Sequence, residues 1–394
     1  MSRLRAGDWV EVRSKDEILR TLDKQGRLDG MPFMPQMFQY CGRRFQVYKR
    51  AHKTCDTVAI KWDYPGRRVA DGIHLNLRCD GKAYGGCQAA CLIFWKEQWL
   101  KPVDGLVAYK SSDSSSAQSK TSVAGGNGCT EDDVLKATRL PQQNPGDEPV
   151  YSCQATRLLD YAHPLPWWDL RQYIEDYTSG NATLWQIVRG TIYILYFYPT
   201  LSWHRRFGGP ARSLYDWFQG LWGGLPFPRH RGKLKTGEPH PIVNLNLQPG
   251  ELVRVKPYEE ILKTINYMNQ NRGMTFDGEM MPFCGHVYRV RARIDKFIDE
   301  KTGKIKTMKT PAVILDDVFC RARYSYHRMY CPRSIFSWWR EIWLERVTDD
   351  SPKLAADQES MENSTRSNGN ACIGNGTSRV HRDGADADVA QGGA

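Results

Sequence analysis

Several catalytic signatures are missing from the chain. No G-x-G-x-x-G follows a strand-like run, and there is no P-loop, no H-E-x-x-H and no G-x-S-x-G. Dinucleotide binding, zincin hydrolysis and serine-elbow chemistry therefore lose their usual basis. Long apolar runs are absent too. The apolar core GTIYILYFYPTL, residues 190–201, is shorter than the ~20 residues a spanning helix needs. MSRLRAGDWVEV at the N-terminus carries no apolar h-region, which leaves the cytoplasm as the expected address. None of the 11 cysteines forms a C-x-x-C knuckle, so the standard zinc ribbon is excluded. An odd cysteine count without a secretory signal points away from a disulfide framework. It favours metal ligation, redox chemistry or buried small hydrophobes.

What the chain does have is a cysteine-bearing aromatic segment that occurs twice. Cys79 to Leu100 reads CDGKAYGGCQAACLIFWKEQWL, and its second half returns at Cys331 to Leu344 as CPRSIFSWWREIWL. Trp95, Glu97, Trp99 and Leu100 thereby meet Trp339, Glu341, Trp343 and Leu344. Upstream, one ungapped register pairs Gly7 with Gly250, Val10 with Val253, Glu17 with Glu260, Ile18 with Ile261, Thr21 with Thr264, Phe33 with Phe276, Met37 with Met280 and Cys41 with Cys284. After loops of different length, Cys79 meets Cys320 and Cys87 meets Cys331. A match running through strand, helix and loop marks an internal duplication.

Each copy opens on an alternating strand, GDWVEVR in the first. SKDEILRTLD follows, with Ser14 placed as N-cap and Glu17 three residues on. The opening G-x-x-V-x-V, with short strands and turns, resembles the SH3-like small barrels, including KOW and Tudor-type modules. That resemblance implies RNA, ribosomal or peptide partners; the helix inserted after the first strand departs from it. The whole chain also resembles a bacterial protein family, a resemblance that supplies no activity. The expected fold is α+β. Tandem SH3-like β-barrel modules occupy 1–104 and 247–350, joined by a mainly helical, aromatic-rich segment at 151–228. A flexible linker at 105–150, a basic proline-containing linker at 229–246 and a disordered tail at 351–394 complete the expectation. Helices are expected at Thr130 to Ala137 within the flexible linker, at Asp169 to Tyr177 and at Thr183 to Tyr198, the last stopped by Pro199.

Thiolates suit zinc or an iron–sulfur cluster. Cys55, Cys79, Cys87 and Cys91 supply four in the first module, spaced C-x7-C-x3-C over the last three. The second module keeps Cys284, Cys320 and Cys331 and offers His327 in C-x6-H-x3-C. Zinc is the expected metal and an iron–sulfur cluster the alternative; the competing reading is that these cysteines pack a repeated core. Cys129 and Cys153 flank the linker, the CQAT at Cys153 echoing the CQAA at Cys87, and are candidates to complete a site or to act as a redox pair.

A net charge of +11 suits an anionic partner. In CGRRFQVYKRAHK, residues 41–53, Arg43, Arg44, Lys49, Arg50 and Lys53 are placed to meet phosphates, with Tyr48 to stack on a base. Residues 185–222, rich in Arg and Trp, suit either contact with an anionic membrane surface or a core position with arginines facing water. Two functions are thus in view. One is a metal-stabilised tandem-barrel scaffold that binds nucleic acid, protein or membrane. The other is an iron–sulfur or thiolate-metal enzyme of a biosynthetic pathway.

Overall fold

The computed structural model describes residues 3–58, 66–103, 128–142, 144–202, 208–221, 225–228 and 230–347. The chain is α+β, built from small antiparallel sheets and short helices. Residues 105–127 of the expected linker and the tail 351–394 lie outside the described residues.

The first half opens with β1 (Trp9–Val12), whose alternation buries Val10 and Val12. Ser14 then caps α1 (Lys15–Leu19). The Glu17 N–H donates to Ser14 Oγ at 3.4 Å and the Ser14 N–H to Glu17 Oε2 at 3.0 Å, the reciprocal box that the spacing predicts. The hairpin β2 (Arg27–Leu28) and β3 (Met31–Pro32) leads through a 3-10 turn at Pro35–Tyr40 to β4 (Arg44–Gln46), β5 (Lys49–Arg50) and β6 (Lys53–Cys55). One strand through 41–53 was expected, and three short ones stand there. The chain changes partner at Val47: its N–H donates to Asp8 O and its carbonyl accepts from Gly7, whereas the Tyr48 N–H turns to His74 O. There follow β7 (Gly66–Val69), β8 (Gly72–His74), β9 (Trp95–Lys96), a 3-10 turn at Glu97–Trp99 and β10 (Leu100–Pro102). The sheets run β10-β1-β4 and β5-β8-β9.

The second half of the expected linker is ordered. Thr130 caps α2 (Glu131–Lys136) with its own reciprocal box, and Cys129 and Val134 are buried in the first core. Those two apolar anchors outweigh the polar composition around them. Next come α3 (Leu158–Tyr161) and β11 (Ala162–Leu165), which completes the sheet β11-β7-β6. Two helices follow, α4 (Arg171–Thr178) and α5 (Leu184–Ser202). The latter runs past Pro199, where a stop was expected; a proline removes one N–H and can kink a helix without ending it. The segment closes with α6 (Gly208–Gly220).

The second half consists of β12 (Leu252–Val255), α7 (Tyr258–Leu262), the hairpin β13 (Gln270–Asn271) and β14 (Met274–Thr275), then β15 (Val287–Ile298), β16 (Ile305–Phe319), β17 (Phe336–Trp339), a 3-10 turn at Glu341–Trp343 and β18 (Leu344–Arg346). Here one five-stranded sheet, β17-β16-β15-β12-β18, stands where the first half has two three-stranded pieces.

Matched residues make matched contacts. Phe33 lies edge-on to Trp95 and Trp99 at 6.3 and 5.1 Å, and Phe276 lies edge-on to Trp339 and Trp343 at 6.0 and 5.4 Å. The Trp99 indole N–H donates to Thr21 Oγ1 at 3.1 Å and the Trp343 indole to Thr264 Oγ1 at 3.0 Å. Each threonine hydroxyl passes its own proton to an isoleucine carbonyl, Ile18 or Ile261. A third shared contact is ionic. The Arg50 guanidinium donates to Glu97 and to Leu4 O, and that of Arg293 to Glu341 and to Leu247 O. Glu341 also accepts the N–H groups of Leu245, Asn246 and Leu247. Removing its carboxylate orphans three N–H donors and a guanidinium, so Glu341→Ala should cost about 3–5 kcal/mol in urea unfolding. Arg44→Ala, which breaks an exposed pair with Glu11, should cost under about 1 kcal/mol.

Candidate functional site

The expected metal ligands gather in two groups that cut across the repeat. Cys55 from the first half packs with Cys320, Cys331, Ala322 and Ile335 of the second in a small buried cluster. The Cys331 thiol donating to it, with Arg333 nearby, draws the Cys55 thiol down, and the same hydrogen bond with burial pushes Cys331 up. Cys55 is therefore parted from the three cysteines with which its spacing had grouped it.

Those three line a cavity of about 40 Å³ together with Cys153. The loop that carries them is pinned on both sides. Arg78 and Leu92 form a β-bridge, and the Cys79 N–H donates to Cys91 O at 2.8 Å. Gln88 reaches the other half, its Oε1 accepting the N–H groups of Asp295 and Lys296 at 2.7 and 2.9 Å. Gln154 does the same on the opposite wall. Fully buried, its amide pairs with both the N–H and the carbonyl of Phe94 as a strand would. The C-Q-A echo thus marks two equivalent arrangements: a cysteine at the cavity and a glutamine tying its segment to a neighbouring strand. Arg333 and Glu300 close the wall from the second half, paired at 2.9 Å. Burial pushes the Cys79 thiol up to about 12 and raises Cys91 and Cys153 as well.

The remaining candidate ligands stand apart. Cys284 lies against the second core, pushed up to about 12 by burial, and the His327 ring stacks on Trp167 at 5.9 Å. Among the described residues no three His, Cys, Asp or Glu side chains converge as ligands of one ion.

The basic strand is divided in use. Arg43 lies over the Tyr40 and Phe45 rings, Arg44 pairs with Glu11, and Lys49 lies over Tyr48; these remain at the surface or partly so. Arg50 and Lys53, expected to meet phosphates, are instead 3% and 2% exposed. Beyond Glu97, Arg50 pairs with Glu175 at 3.3 Å. Lys53 donates to the fully buried Asp176 and lies between the Tyr173 and Tyr330 rings at 5.0 and 5.7 Å. His52 Nε2 stands 3.2 Å from the other oxygen of the same carboxylate. The carboxylates come from α4, more than a hundred residues along the chain, so local patterning leaves these two cations looking free.

The helical segment has a different character. Leu170, Ile174 and Tyr177 follow one another at helical spacing and are exposed. On α5 the exposed stripe is Trp185, Val188, Ile192 and Leu195, opposite the buried Gly190 and Tyr193; on α6 it is Leu214, Trp217 and Leu221. Three consecutive helices, α4 touching α5 and α5 touching α6, each leave an apolar stripe uncovered. Among the described residues no helix is long and apolar enough to cross a membrane.

No family model matches the chain, and no curated protein matches it in sequence.

Two outcomes follow for the buried charges. Asp176→Ala strands the Lys53 ammonium and should lower stability by about 3–5 kcal/mol, while Lys53→Met with Asp176→Leu should regain most of it, as read by urea unfolding. His74 is fully buried, with Nδ1 2.8 Å from Ile93 O, and burial draws it down to about 3. In the unfolded chain a histidine takes up its proton near pH ~6.5, so between those values the unfolded state binds more protons. Stability is then unaffected by this group above pH ~6.5 and falls as the pH is lowered toward 3; His74→Gln should flatten that slope in urea midpoints.

Proposed function

We propose that the protein is a tandem SH3-like scaffold that docks on an anionic lipid surface through its helical segment. The barrel reading rests on strand order. In the second half β12 lies between β15 and β18, with β16 and β17 beyond and a 3-10 turn leading into the last strand, and the first half repeats that order in shorter pieces. Matched Phe–Trp and Trp–Thr contacts support a duplicated origin.

The observation that carries the lipid reading is the set of uncovered stripes on α4, α5 and α6. Single exposed apolar residues are ordinary on a protein surface, but contiguous apolar area on successive helices marks an interaction face. Charge selects the partner. Between Asp176 and Asp216 the chain has no acidic residue, yet it carries Arg189, Arg205, Arg206 and Arg212. On α5 a stripe of Trp185, Ile192 and Leu195, on a helix with Arg189 and no acidic residue, suits the interface of an anionic leaflet, where each Arg near the surface contributes about 1 kcal/mol. A nucleic-acid partner on the 41–53 strand has less to recommend it, because Arg50 and Lys53 are already neutralised inside the protein.

Sedimentation with vesicles tests the reading. The full chain should pellet with vesicles rich in phosphatidylglycerol and remain largely in solution with pure phosphatidylcholine. Trp185→Asp or Trp217→Asp should each remove roughly 2 kcal/mol of burial, about a thirty-fold weaker partition. Equal binding to both vesicle types, or variants that bind like wild type, would overturn it.

A further inference from the structure

We propose that Cys79, Cys87, Cys91 and Cys153 hold an iron–sulfur cluster in the cavity that they line. The inference is independent of lipid docking.

The size of the cavity narrows what it can take. About 40 Å³ is more than one water needs and far less than the ~150 Å³ that a benzene-sized guest occupies. A compact inorganic group fits where an organic substrate does not. Apart from its sulfurs the wall is largely apolar, with Met34, Leu92, Phe94 and Ile298.

Two of the sulfurs already accept hydrogen bonds. Gln36 Nε2 donates to Cys79 Sγ at 3.1 Å, and the Ile298 N–H donates to Cys87 Sγ at 3.3 Å. Donors of this kind stabilise ligating thiolates and tune the clusters they hold. Positive charge is at hand as well. Arg333, 3% exposed, lines the cavity beside its partner Glu300, and Arg78 donates to Ala90 O, next to Cys91.

The ligand loop is also held rigidly. Gly81 has φ +68° and a Cβ there would fall 1.9 Å from Cys87 O; Gly85 has φ +63° and its Cβ would fall 2.5 Å from Tyr151 Oη. The first contact winds the loop on itself. The second seats it against the segment that carries Cys153. The loop that carries Cys79, Cys87 and Cys91 therefore packs directly on the Tyr151 side chain, two residues before Cys153.

Spacing separates a cluster from zinc. A single zinc ion draws four ligands to one point at ~2.3 Å, whereas the irons of a cluster occupy separate points and their cysteines stand further apart. The four cysteines line one cavity, and among the described residues no three His, Cys, Asp or Glu side chains converge as ligands of one ion. Loading is a ligand exchange. Each cysteine thiol forms an Fe–Sγ bond as a carrier thiolate leaves, and the cysteine proton goes to the departing thiolate, with no change in oxidation state.

The full chain should be purified anaerobically without a metal-affinity tag. Iron, acid-labile sulfide, zinc and the visible spectrum are then measured, as isolated and after incubation with a synthetic cluster ligated by β-mercaptoethanol. Iron and sulfide in equal amounts with a broad visible band, lost in Cys153→Ser and kept in Cys55→Ser, is the expected result. Loss in Cys55→Ser with retention in Cys153→Ser would overturn the ligand set, zinc in place of iron would overturn the cluster, and no iron by either route would overturn both. A second readout needs no variant: iron and sulfide loaded into wild-type protein should stay with the chain through gel filtration in a fixed amount per chain. Iron that separates from the chain on the column would count against the proposal even if Cys153→Ser fails to fold.

Discussion

A guanidinium drawn into the protein needs acceptors, and that requirement organises both halves of the molecule, around the buried Arg50 and the half-buried Arg293. Arg50 and Arg293 each draw in the carbonyl of a leucine ahead of the opening strand and the glutamate of the 3-10 turn before the closing strand. Entry and exit of the sheet are thereby joined through one side chain. In the first half Arg50 also engages Glu175 of α4, and the next residue, Asp176, receives Lys53. Two adjacent carboxylates on one short helix thus set where the helical segment sits on the first sheet. Replacing both members of such a pair is often tolerated, while losing one is not, so these residues act as a positional code more than as a reserve of stability.

The 79–91 loop solves a related problem on the other side. Gln88 supplies the partner that two N–H groups of β15 would otherwise lack near its register shift, and Arg333 of the second half satisfies Cys55 O and Thr57 Oγ1 of the first. Charged and polar side chains act at this junction beside apolar contacts, with Ile298 packed in the first core and Cys55 against Cys331. Many of the exposed apolar side chains lie on α4 to α6, with others at Trp9, Leu135, Trp168 and Ile242.

Local order was well encoded in the chain. Val10, Ile18, Phe33 and Trp99, which the sequence marks as matched positions of the two copies, are core, as are their counterparts Val253, Ile261, Phe276 and Trp343. The Ser14 cap followed from three-residue spacing alone. What periodicity could not show was anything paired across long separations. Cys55 looked like a fellow of Cys79 because they are near in sequence, yet its neighbours are Cys320 and Cys331. Arg50 and Lys53 looked like surface cations because Glu175 and Asp176 lie so far along the chain. One signal was available: Leu4 and Arg50 meet Leu247 and Arg293 in the ungapped register, and Glu97 meets Glu341 after the loops of different length, which marks a repeated internal contact.

Arg333 closes the cavity whose cysteines begin at position 79. On the ribosome, the chain between Cys91 and Arg333 takes on the order of ten to fifty seconds to make at roughly 5–20 residues per second. Through that interval the sulfurs of a nearly finished first half face the cell without the wall that will cover them. The order of synthesis therefore leaves this pocket without its last wall residue until most of the chain has been made.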